Sequence, residues 1–376
     1  MKPHLHDPIK VEAVTSLEAF DRCATEWDAA VHQAPFASVQ ARHFWIRRWL
    51  TTIGAGRPIA FQIMRDGAGI VGCAAWTPAT QRVGFMSTPV LRLAGQPVFK
   101  RSQIVLVRRH AQAVSAMLDD LRRLRWRWFD PGLLTDGDPL LSSLPALAGG
   151  VRAHERSSYL LPLVAARGNW DSYFATRSRT IRKQHRRRLA SEGLTTRVFP
   201  GDLASVDELL AAVEHVGRRS WSFDEGTSVV STAPHWQFWQ GVMRDAAARG
   251  ILHAACHFQA DRPVAFIFGI RQNGILHALK TSFDPDHAKL GPGQAVICSL
   301  LQMAMEHPEI ETVDLDCIIG RGDYKLDWAT EIRTMRQYYA FRCGPLPNLF
   351  MHAYQLKKHF AGKAPRLPVD IKEAAT

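Results

Sequence analysis

The sequence predicts an α+β fold in which two domains each hold a mostly antiparallel mixed sheet flanked by helices. A chain of 376 residues is too long for one ordinary core and suits two domains of moderate size. The second half reads as strand, two helices, three closely spaced strands, helix and strand, and the first half repeats much of that order. We place an N-terminal domain at residues 1–165, a second domain at 166–345, and a C-terminal helix and tail at 346–376.

The first domain shows both helical and strand periodicity. Helical patterns cover residues 16–32, 39–52, 111–124 and 139–147. Runs typical of strands cover residues 59–64, 70–76, 82–86, 103–107, 126–130 and 159–163. A glycine-containing turn separates the first two runs, which predicts a β-hairpin. Residues 165–168 are small and polar, and the domain boundary is therefore placed there.

The second domain is predicted in the same way. Helical patterns cover residues 171–191, 204–218, 234–248 and 294–306, with a further helix at 348–360. Strand patterns cover residues 195–199, 252–258, 264–270, 275–282, 311–317 and 334–342. Short turns join the second, third and fourth of these strands into an antiparallel meander. The helix 294–306 is a crossover long enough to allow one parallel pairing in the middle of the sheet.

Composition describes a globular protein with a strong excess of positive charge. The hydrophobic fraction is 46% and the formal net charge is +12, which favours anionic partners. No apolar run is long enough to span a bilayer, the first residues lack the apolar part of a signal peptide, and we therefore expect a cytoplasmic protein. The six cysteines form no CxxC pair, so reduced core cysteines are expected, with neither a disulfide frame nor a metal site.

The most basic segment is RSRTIRKQHRRR, from Arg177 to Arg188, which contains no acidic residue. A solvated helix surface needs no partner for such cations. The repulsion between neighbours on one helix is unfavourable, however, unless an anion offsets it. Anion binding and a solvated face are both open at this point.

A glycine-bracketed helix start follows the strand 275–282. The triplet Gly291-Pro292-Gly293 precedes an apolar helical pattern that begins near Gln294. Backbone N–H groups at a helix N-terminus offer a seat for a phosphate. The alternative interpretation is a tight loop whose glycines only permit the turn.

Polar residues with chemical potential cluster after the meander. Period two in the strand 311–317 places Asp314 and Asp316 on one face, where two carboxylates need partners, solvent or a role with substrate. His277 and Lys280 are three residues apart, which predicts opposite faces of their strand. The segment 320–325 is richer in polar groups than a structural turn requires. No GxSxG, HExxH, Walker or GxGxxG pattern is present, which removes several common enzyme classes.

At these residues the chain resembles the GNAT superfamily, in particular the acyltransferase branch often labelled CelD-like in cellulose and exopolysaccharide gene contexts, which is related to the FemAB peptidyltransferases. The motifs that carry the resemblance are Ser178-Arg179-Thr180-Ile181-Arg182-Lys183, Arg219-Ser220-Trp221, Ser282-Phe283-Asp284-Pro285, Gly291-Pro292-Gly293, Asp314-Leu315-Asp316 and Gly320-Arg321-Gly322-Asp323-Tyr324-Lys325. The resemblance covers residues 170–342 well and the first half only in its element order. It implies two GNAT-like domains in tandem, of which the first is degenerate and lacks the Gly-Pro-Gly loop.

The resemblance implies an acyl thioester donor, acyl-CoA or an acyl carrier protein, and an amine or hydroxyl acceptor in polysaccharide or cell-envelope biosynthesis. In such folds two neighbouring parallel strands splay apart, here 275–282 and 311–317, and hold the pantetheine arm between them. The donor-binding residues implied are Thr281, Ser282, Leu290, Gly291, Gly293 and Gln294. The substrate-binding residues implied are Arg179, Arg182, Lys183, Trp221, Lys280, Asp314 and Asp323. The proline in the loop removes one backbone donor, so an aminoacyl-tRNA donor as in the FemAB relatives stays open beside the thioesters.

The same resemblance implies direct attack of the acceptor on the thioester without a metal. Asp316 would orient or deprotonate the acceptor, Lys325 would stabilise negative charge or grip a phosphate, and Tyr324 would protonate the leaving thiolate. His277 is a further catalytic candidate. Two other classes compete with an enzyme: a nucleic-acid-binding protein that uses the basic helix, and a non-catalytic scaffold recruited to anionic lipid. No nucleic-acid partner other than tRNA is expected.

Overall fold

The computed structural model of the protein describes residues 7–83, 86–96, 98–143, 151–189, 194–199, 205–318 and 323–342. Two compact units divide the chain. The first unit contains the described residues up to Tyr159 and those from Thr334 onward, and the second contains Leu160–Arg333. The last strand, which the sequence assigned to the second domain, thus groups mainly with the first unit.

The first unit is a mixed sheet with helices. Its strands are β1 (Lys10–Val14), β2 (Ala60–Asp66), β3 (Gly69–Val83), β4 (Met86–Leu93), β5 (Ile104–Leu106), β6 (Trp128–Phe129), β7 (Leu133–Thr135) and parts of β8 (Val151–Ala165) and β14 (Glu331–Arg342). Its helices are α1 (Leu17–Arg22), α2 (Ala24–Gln33), α3 (His43–Thr51), α4 (His110–Leu121) and α5 (Pro139–Ser143). The strand order is β1-β2-β3-β4-β6-β14, with β5 on β3 and β7 on β14, and β4 pairs with β6 in parallel.

The second unit has the same architecture. Its strands are β9 (Leu194–Phe199), β10 (Leu252–Gln259), β11 (Arg262–Gln272), β12 (Ile275–Phe283) and β13 (Thr312–Asp314), together with the end of β8. Its helices are α6 (Trp170–Ala175), α7 (Arg179–Leu189), α8 (Val206–Arg219), α9 (Trp221–Asp224), α10 (Ala233–Ala247) and α11 (Pro292–Glu306), with 3₁₀-helices at Pro285–Leu290 and Asp323–Trp328. The order is β8-β13-β12-β11-β10-β9, and only β12 and β13 are parallel among these described pairings.

The two units repeat one order of elements. Strand β1, helices α1–α3, the strands β2–β4, helix α4 and strand β6 correspond in order to β9, α8–α10, β10–β12, α11 and β13. In both units the strand after the last long helix returns parallel to the third strand of the meander. The predicted α+β fold, a mostly antiparallel mixed sheet flanked by helices, is therefore confirmed.

Local sequence explains why the main helices of the second unit begin where they do. The Thr232 hydroxyl accepts the backbone N–H of His235 at 3.4 Å at the start of α10, and Pro234 occupies the first turn. Helix α11 begins with Pro292 directly after Gly291, which has a left-handed φ of 58°. Its apolar face, including Val296, packs in the core between α11 and the sheet.

Several predicted helix limits are wrong. The helix at 16–32 is two helices that break at Cys23, and the helix at 39–52 is a short 3₁₀ turn followed by α3. The single helix at 171–191 is also two, α6 and α7, because the chain turns at residues 176–178. The predicted helix and tail at 346–376 lie outside the described residues.

The predicted strands need three corrections. No separate strand covers 82–86, since β3 runs to Val83 and β4 starts at Met86. The strand at 311–317 contains only Thr312–Asp314, and therefore period two does not carry Asp316 onto the face of Asp314. Strands β1, β4 and β7 were not predicted from the sequence as separate strands.

No described helix combines the length and apolar character needed to cross a bilayer. The five described cysteines are free thiols, four of them buried. Within the described ranges, no three or more His, Cys, Asp or Glu side chains gather to hold a metal ion.

Candidate active site

A cleft opens in the second unit where β12 and β13 stop pairing. Their parallel register covers Ile275 to His277 on β12 and ends at the pair His277 and Asp314. Beyond this pair, the backbone N–H groups of Leu315 and Ile318 donate to carbonyls of β8, so the chain follows β8 and leaves β12. Strand β12 meanwhile stays paired with β11 as far as Phe283. Two strands that start together thus diverge.

The cleft has an empty volume of about 300 Å³, including its open part. Its lining combines apolar side chains with two lysines and a hydroxyl: Ile267, Ala278, Leu279, Lys280, Thr281, Ile297, Leu315 and Lys325. The Thr281 hydroxyl donates to the carbonyl of Phe266 at 3.1 Å. Ser282, one residue on, is half-buried. A narrow slot with a few polar groups is the usual form of a small-molecule site.

A β-bulge in β12 lies beside the point of divergence. Gly269 of β11 pairs with Ala278 and Phe268 pairs with Lys280, which leaves Leu279 as the extra residue. A Cβ at Gly269 would lie 2.6 Å from the carbonyl oxygen of His277, so only glycine permits this approach.

The bulge also overturns one sequence prediction. His277 pairs with Ile270, and Lys280 pairs with Phe268, two residues away on β11. Since alternate residues of a strand share a face, His277 and Lys280 lie on the same face. The predicted opposite faces are wrong because the extra residue Leu279 shifts the alternation.

A buried histidine and a buried carboxylate form the last paired position of β12 and β13, next to the cleft lining. His277 Nδ1 lies 3.1 Å from Asp314 Oδ2, and the two residues are 7% and 3% exposed, respectively. A carboxylate partner favours the tautomer with the proton on Nδ1, which leaves Nε2 as an acceptor. Asp314 also accepts the backbone N–H of Asp316 on Oδ1 at 2.8 Å. The predicted substrate ligand Asp314 therefore holds His277 and turns the chain.

Asp316 lies just after this turn in a left-handed conformation, with φ of 65°. Such a backbone is uncommon for a residue other than glycine, although Asp tolerates it better than most. The turn directs the chain away from β12 next to Leu315, and the Asp316 side chain is half-buried. Strain of this kind concentrates at functional sites.

Tyr324 and Lys325 lie on the 3₁₀-helix Asp323–Trp328, which buried Trp328 anchors. The Trp328 indole donates to Gln294 Oε1 at 2.7 Å, and its carbonyl accepts the Tyr173 hydroxyl at 2.5 Å. Lys325 thereby reaches the cleft lining, and half-buried Tyr324 packs against the core. Burial raises the pKa of Tyr324, so its phenol stays protonated. The side-chain oxygen of Gln294 is thus already hydrogen-bonded to Trp328.

The predicted phosphate loop lies at the N-terminus of α11. Half-buried Leu290 ends the 3₁₀-helix, and the Gly291 N–H donates to the carbonyl of Ala288 at 2.9 Å. Proline at the first position has no N–H, so the backbone donors that the first turn can offer an anion are those of Gly293 and Gln294. Gly293 is packed closely, since a Cβ there would lie 3.2 Å from the Phe283 ring.

A cation and aromatic rings lie on the His277 face. Lys280 Nζ is 5.8 Å from the centre of the Trp239 ring of α10. Burial and then the charge of Lys280 lower the pKa of His235, one turn earlier on α10. Trp221, at the start of α9, is 44% exposed.

The basic segment from Arg177 onward contains one anchored residue before α7 and exposed residues on α7. Arg177 donates to the carbonyls of Asp327 and Ala329 at 3.2 and 3.1 Å, and therefore has a structural role. Of the predicted anion ligands on α7, Arg179 and Lys183 are exposed and Arg182 is half-buried. Asp323 begins the 3₁₀-helix after the cleft.

Sequence reasoning missed the ion pair that joins two of its own motifs. Arg219 Nε donates to Asp284 Oδ2 at 2.6 Å, although the two residues are 65 positions apart. It also missed the His277–Asp314 pair. The parallel register of β12 and β13 would have placed those two residues side by side, but only an exact register could have shown it.

Comparison with known proteins agrees with this geometry. A family model described as the acetyltransferase (GNAT) domain matches residues 175–327, which span the cleft and α7. No protein of curated function matches the sequence. Solved structures with a similar fold are far in sequence, and at such identities the likeness concerns the fold alone.

FemX superposes with a TM-score of 0.58 at 12% identity, over 87% of this chain and 96% of that one. L-PGS from Bacillus licheniformis superposes with a TM-score of 0.52 at 12% identity, over 88% of this chain and 95% of that one. A tandem GNAT protein from the clavulanic acid biosynthesis pathway gives 0.50 at 11% identity, over 89% and 99%. With the GNAT family model matched over residues 175–327, the chain is an acyltransferase enzyme.

Proposed function

We propose that the protein transfers an acyl group from a thioester donor, acyl-CoA or an acyl carrier protein, to an amine or hydroxyl. The observation that carries this proposal is the divergence of β12 from the chain after Asp314, next to a cleft lined by Lys280, Thr281 and Lys325. The cleft is narrow and mostly apolar, as an extended pantetheine arm requires. The GNAT match over the same residues supports the assignment.

The phosphate end of the donor would lie at the start of α11, and its thioester near the last paired position of β12 and β13. Donor-binding roles are proposed for Thr281 and Ser282 along the strand and for Leu290, Gly291, Gly293 and Gln294 at the helix start. From Phe283 to His277 the strand spans about 20 Å at the usual rise per residue. An elongated donor with an anionic end fits a slot of this length, with the anion near the positive end of the helix.

In the reaction, the acceptor nitrogen or oxygen attacks the thioester carbonyl carbon. Nε2 of His277 takes the acceptor proton, and Asp314 stabilises the imidazolium that forms. The C–S bond breaks as the C–N or C–O bond is completed, and the donor leaves as a thiolate. Asp316, at the strained turn, orients the acceptor instead of acting as the primary base.

Lys325 would stabilise the negative charge that develops on the thioester oxygen or on the leaving sulfur, since its side chain lines the cleft. Tyr324 has a raised pKa, while thiols ionise near pH 8.5. Full proton transfer from this phenol to a thiolate is therefore uphill. We assign Tyr324 a hydrogen bond to the leaving group, with the thiolate taking its proton from His277 or solvent.

We propose that the acceptor approaches near Lys280 and Trp239, on the face of β12 that carries His277. Trp221 lies exposed at the start of α9 and could stack on a sugar or other flat acceptor. The CelD-like resemblance favours a saccharide or cell-envelope acceptor. Arg179, Arg182 and Lys183 are proposed to contact an anionic donor or acceptor, and Asp323 is proposed to bind an amine or hydroxyl of the acceptor.

The donor class is tested by a thermal-shift and mass-spectrometric screen against acyl-CoA, acyl carrier protein and aminoacyl-tRNA. The proposal predicts that a thioester raises the melting temperature and loses its acyl group to an acceptor. Turnover with aminoacyl-tRNA alone would instead favour the FemAB-like alternative, whose acyl donor is an ester. Stabilisation without any turnover would favour a binding protein.

A further inference from the structure

A buried carboxylate lies where β12 passes into the segment that leads to α11. Asp284 is 1% exposed, and its backbone N–H still donates to Val264 of β11 at 2.8 Å. Its Oδ1 accepts the N–H of Asp286 at 3.1 Å, which starts the 3₁₀-helix Pro285–Leu290. The orientation of this one side chain therefore sets the direction of the segment.

Two guanidinium groups hold the Asp284 carboxylate. Arg219, the last residue of α8, places Nε 2.6 Å from Oδ2, and Arg262 of β11 places Nη2 3.3 Å from the same oxygen. Burial alone would raise the pKa of Asp284, but the hydrogen bonds from Arg219 and from the Asp286 N–H outweigh it and lower the pKa. The carboxylate is thus ionised and paired.

Arg219 also grips the segment at a second point. Its Nη2 donates to Asp286 Oδ2 at 2.9 Å, so one guanidinium bridges the carboxylates on either side of Pro285. The segment then runs to Gly291, whose left-handed backbone starts α11. Arg219 is followed directly by Ser220 and Trp221, at the start of α9. One ion pair thus ties the end of α8 to the loop before α11.

We propose that Arg219 and Asp284 are positioning residues that hold residues 285–294 in the conformation that receives the donor's anionic end. The inference rests on the proposed function for its catalytic consequence only. Neither residue touches the reacting atoms. Removing Arg219 would leave the buried Asp284 carboxylate with the longer Arg262 contact, the Asp286 N–H and His287, whose Nδ1 lies 3.7 Å from Oδ2. A buried charge that loses its shortest ion pair destabilises its surroundings far more than an exposed one does.

The neighbouring residue supplies a matched control. Arg218 is also a cation at the end of α8, but it pairs with Glu214 one turn earlier on the same helix, at 2.7 Å, and both partners are substantially exposed. Exposed pairs of this kind contribute little. Arg218→Gln therefore removes the same charge without touching the segment.

The first measurement is hydrogen exchange of the 376-residue chain without any donor. Arg219→Gln should increase exchange at residues 285–294 about tenfold, while β12 keeps its protection and Arg218→Gln matches wild type. Unchanged exchange at 285–294 would overturn the proposal. Asp286→Asn weakens only the contact between Arg219 and residue 286, so it should increase exchange at 285–294 by a smaller factor. This variant replaces Arg219→Gln if the latter does not fold. Exchange at the wild-type rate in Asp286→Asn would then also overturn the proposal.

The second measurement is steady-state kinetics with the donor that the wild type uses. Arg219→Gln should raise the KM for donor about tenfold and leave kcat and the acceptor KM within about twofold. Arg219→Lys should bring the KM for donor part of the way back to the wild-type value. Lysine restores the positive charge but has only one nitrogen with which to contact the two carboxylates. A decrease in kcat together with an equal increase in both KM values would contradict a positioning role. Exchange changes in a protein that transfers no acyl group would instead refute the proposed function and leave the loop assignment intact.

Discussion

The His277–Asp314 pair is a buried acid–base pair at the point where β12 and β13 stop pairing, beside the cleft. Both residues are buried at the point where two strands separate, and their side chains lie 3.1 Å apart. His277→Gln should lower kcat by about a hundredfold, because a positioned general base contributes roughly that much. Steady-state turnover with the donor found by screening measures it.

Asp314→Asn should reduce kcat as well, since an amide does not favour the productive tautomer. His257 is the control, a buried histidine on β10 that contacts Thr196 and Ser299 hydroxyls at 3.3 and 3.2 Å. His257→Gln should keep turnover within a few-fold of wild type. Normal turnover in folded His277→Gln would remove this residue from the mechanism.

Asp316 and Lys325 should contribute independently of that pair. Asp316→Asn and Lys325→Ala should each lower turnover at least roughly tenfold to a hundredfold while the melting temperature stays close to wild type. Asp316→Gly should stabilise the turn, since glycine adopts a φ of 65° without strain, and yet lose activity. Full activity in both of the first two variants would exclude these residues.

His253 on β10 should make stability depend on pH. It is fully buried next to His307 and Arg271, and burial, then His307, then Arg271 lower its pKa to about 4. Its pKa in the unfolded chain is near 6.5, so the unfolded state binds a proton first and stability falls as pH drops from about 6.5 towards 4. The loss attributable to this residue is about 3 kcal/mol at most.

His253→Phe should remove that part of the acid sensitivity, because both ring nitrogens lack a hydrogen-bond partner within the described residues. Chemical denaturation at pH 7 and pH 5 measures the difference. The exposed His32 offers a control, and His32→Phe should leave the pH dependence unchanged. An identical loss in wild type and His253→Phe would show that other groups cause it.

Residue-level prediction from sequence succeeded where the signal is local. Gly291-Pro292 marked the start of α11 because both residues act on their own backbone. Pairs such as Arg219 with Asp284, or His277 with Asp314, depend on residues 65 and 37 positions apart. Asp316 was placed by a strand period that ends at Asp314, where a side-chain hydrogen bond turns the chain. No local pattern contains that information.

At the scale of elements, the meander β10–β12 was predicted within a few residues, because tight turns and apolar runs are strong signals. The bulge at Leu279 was not, since it follows from the pairing with β11. Helices α6 and α7 were merged because residues 176–178 contain neither glycine nor proline.

The bulge makes Gly269 a sensitive position. Gly269→Ala should destabilise the protein by about 1–3 kcal/mol, because its Cβ would meet the His277 carbonyl oxygen at 2.6 Å. It should also lower turnover, since His277 must move. Gly250→Ala is the control: with φ of 64° and open space around it, that change strains the backbone after α10 and should reduce only stability. Equal activity per folded molecule in both variants would disconnect the bulge from catalysis.

Among the described residues of the first unit, β4 and β6 do not diverge as β12 and β13 do. Strands β4 and β6 stay in backbone contact as far as Leu91, whose carbonyl accepts the Asp130 N–H. Only the last two residues of β4, Arg92 and Leu93, extend beyond this contact. Strand β5 then occupies the edge of β3 beyond the end of β4. The segment that would open into a donor slot is therefore filled, which supports the interpretation of this unit as a degenerate copy.

At the scale of the whole molecule, two units of one architecture should thus bind one donor. Isothermal titration with the donor identified by screening should give one site per chain. Two equivalent sites would contradict the interpretation of the first unit as a degenerate copy.

The net charge of +12 should make donor affinity fall as the salt concentration rises, and more steeply for a carrier protein or tRNA than for CoA.

Photoaffinity labelling of the 376-residue chain tests directly whether this cleft binds the acyl donor. The probe is a phosphopantetheine thioester that carries a diazirine in its acyl chain. Peptide mapping by mass spectrometry should place the label in or beside the cleft, at residues 277–281, at Leu315 or at Lys325. Excess natural thioester should abolish the labelling. Labels confined to the first unit, or labelling that the natural thioester does not prevent, would contradict the assignment of this cleft as the acyl-donor site.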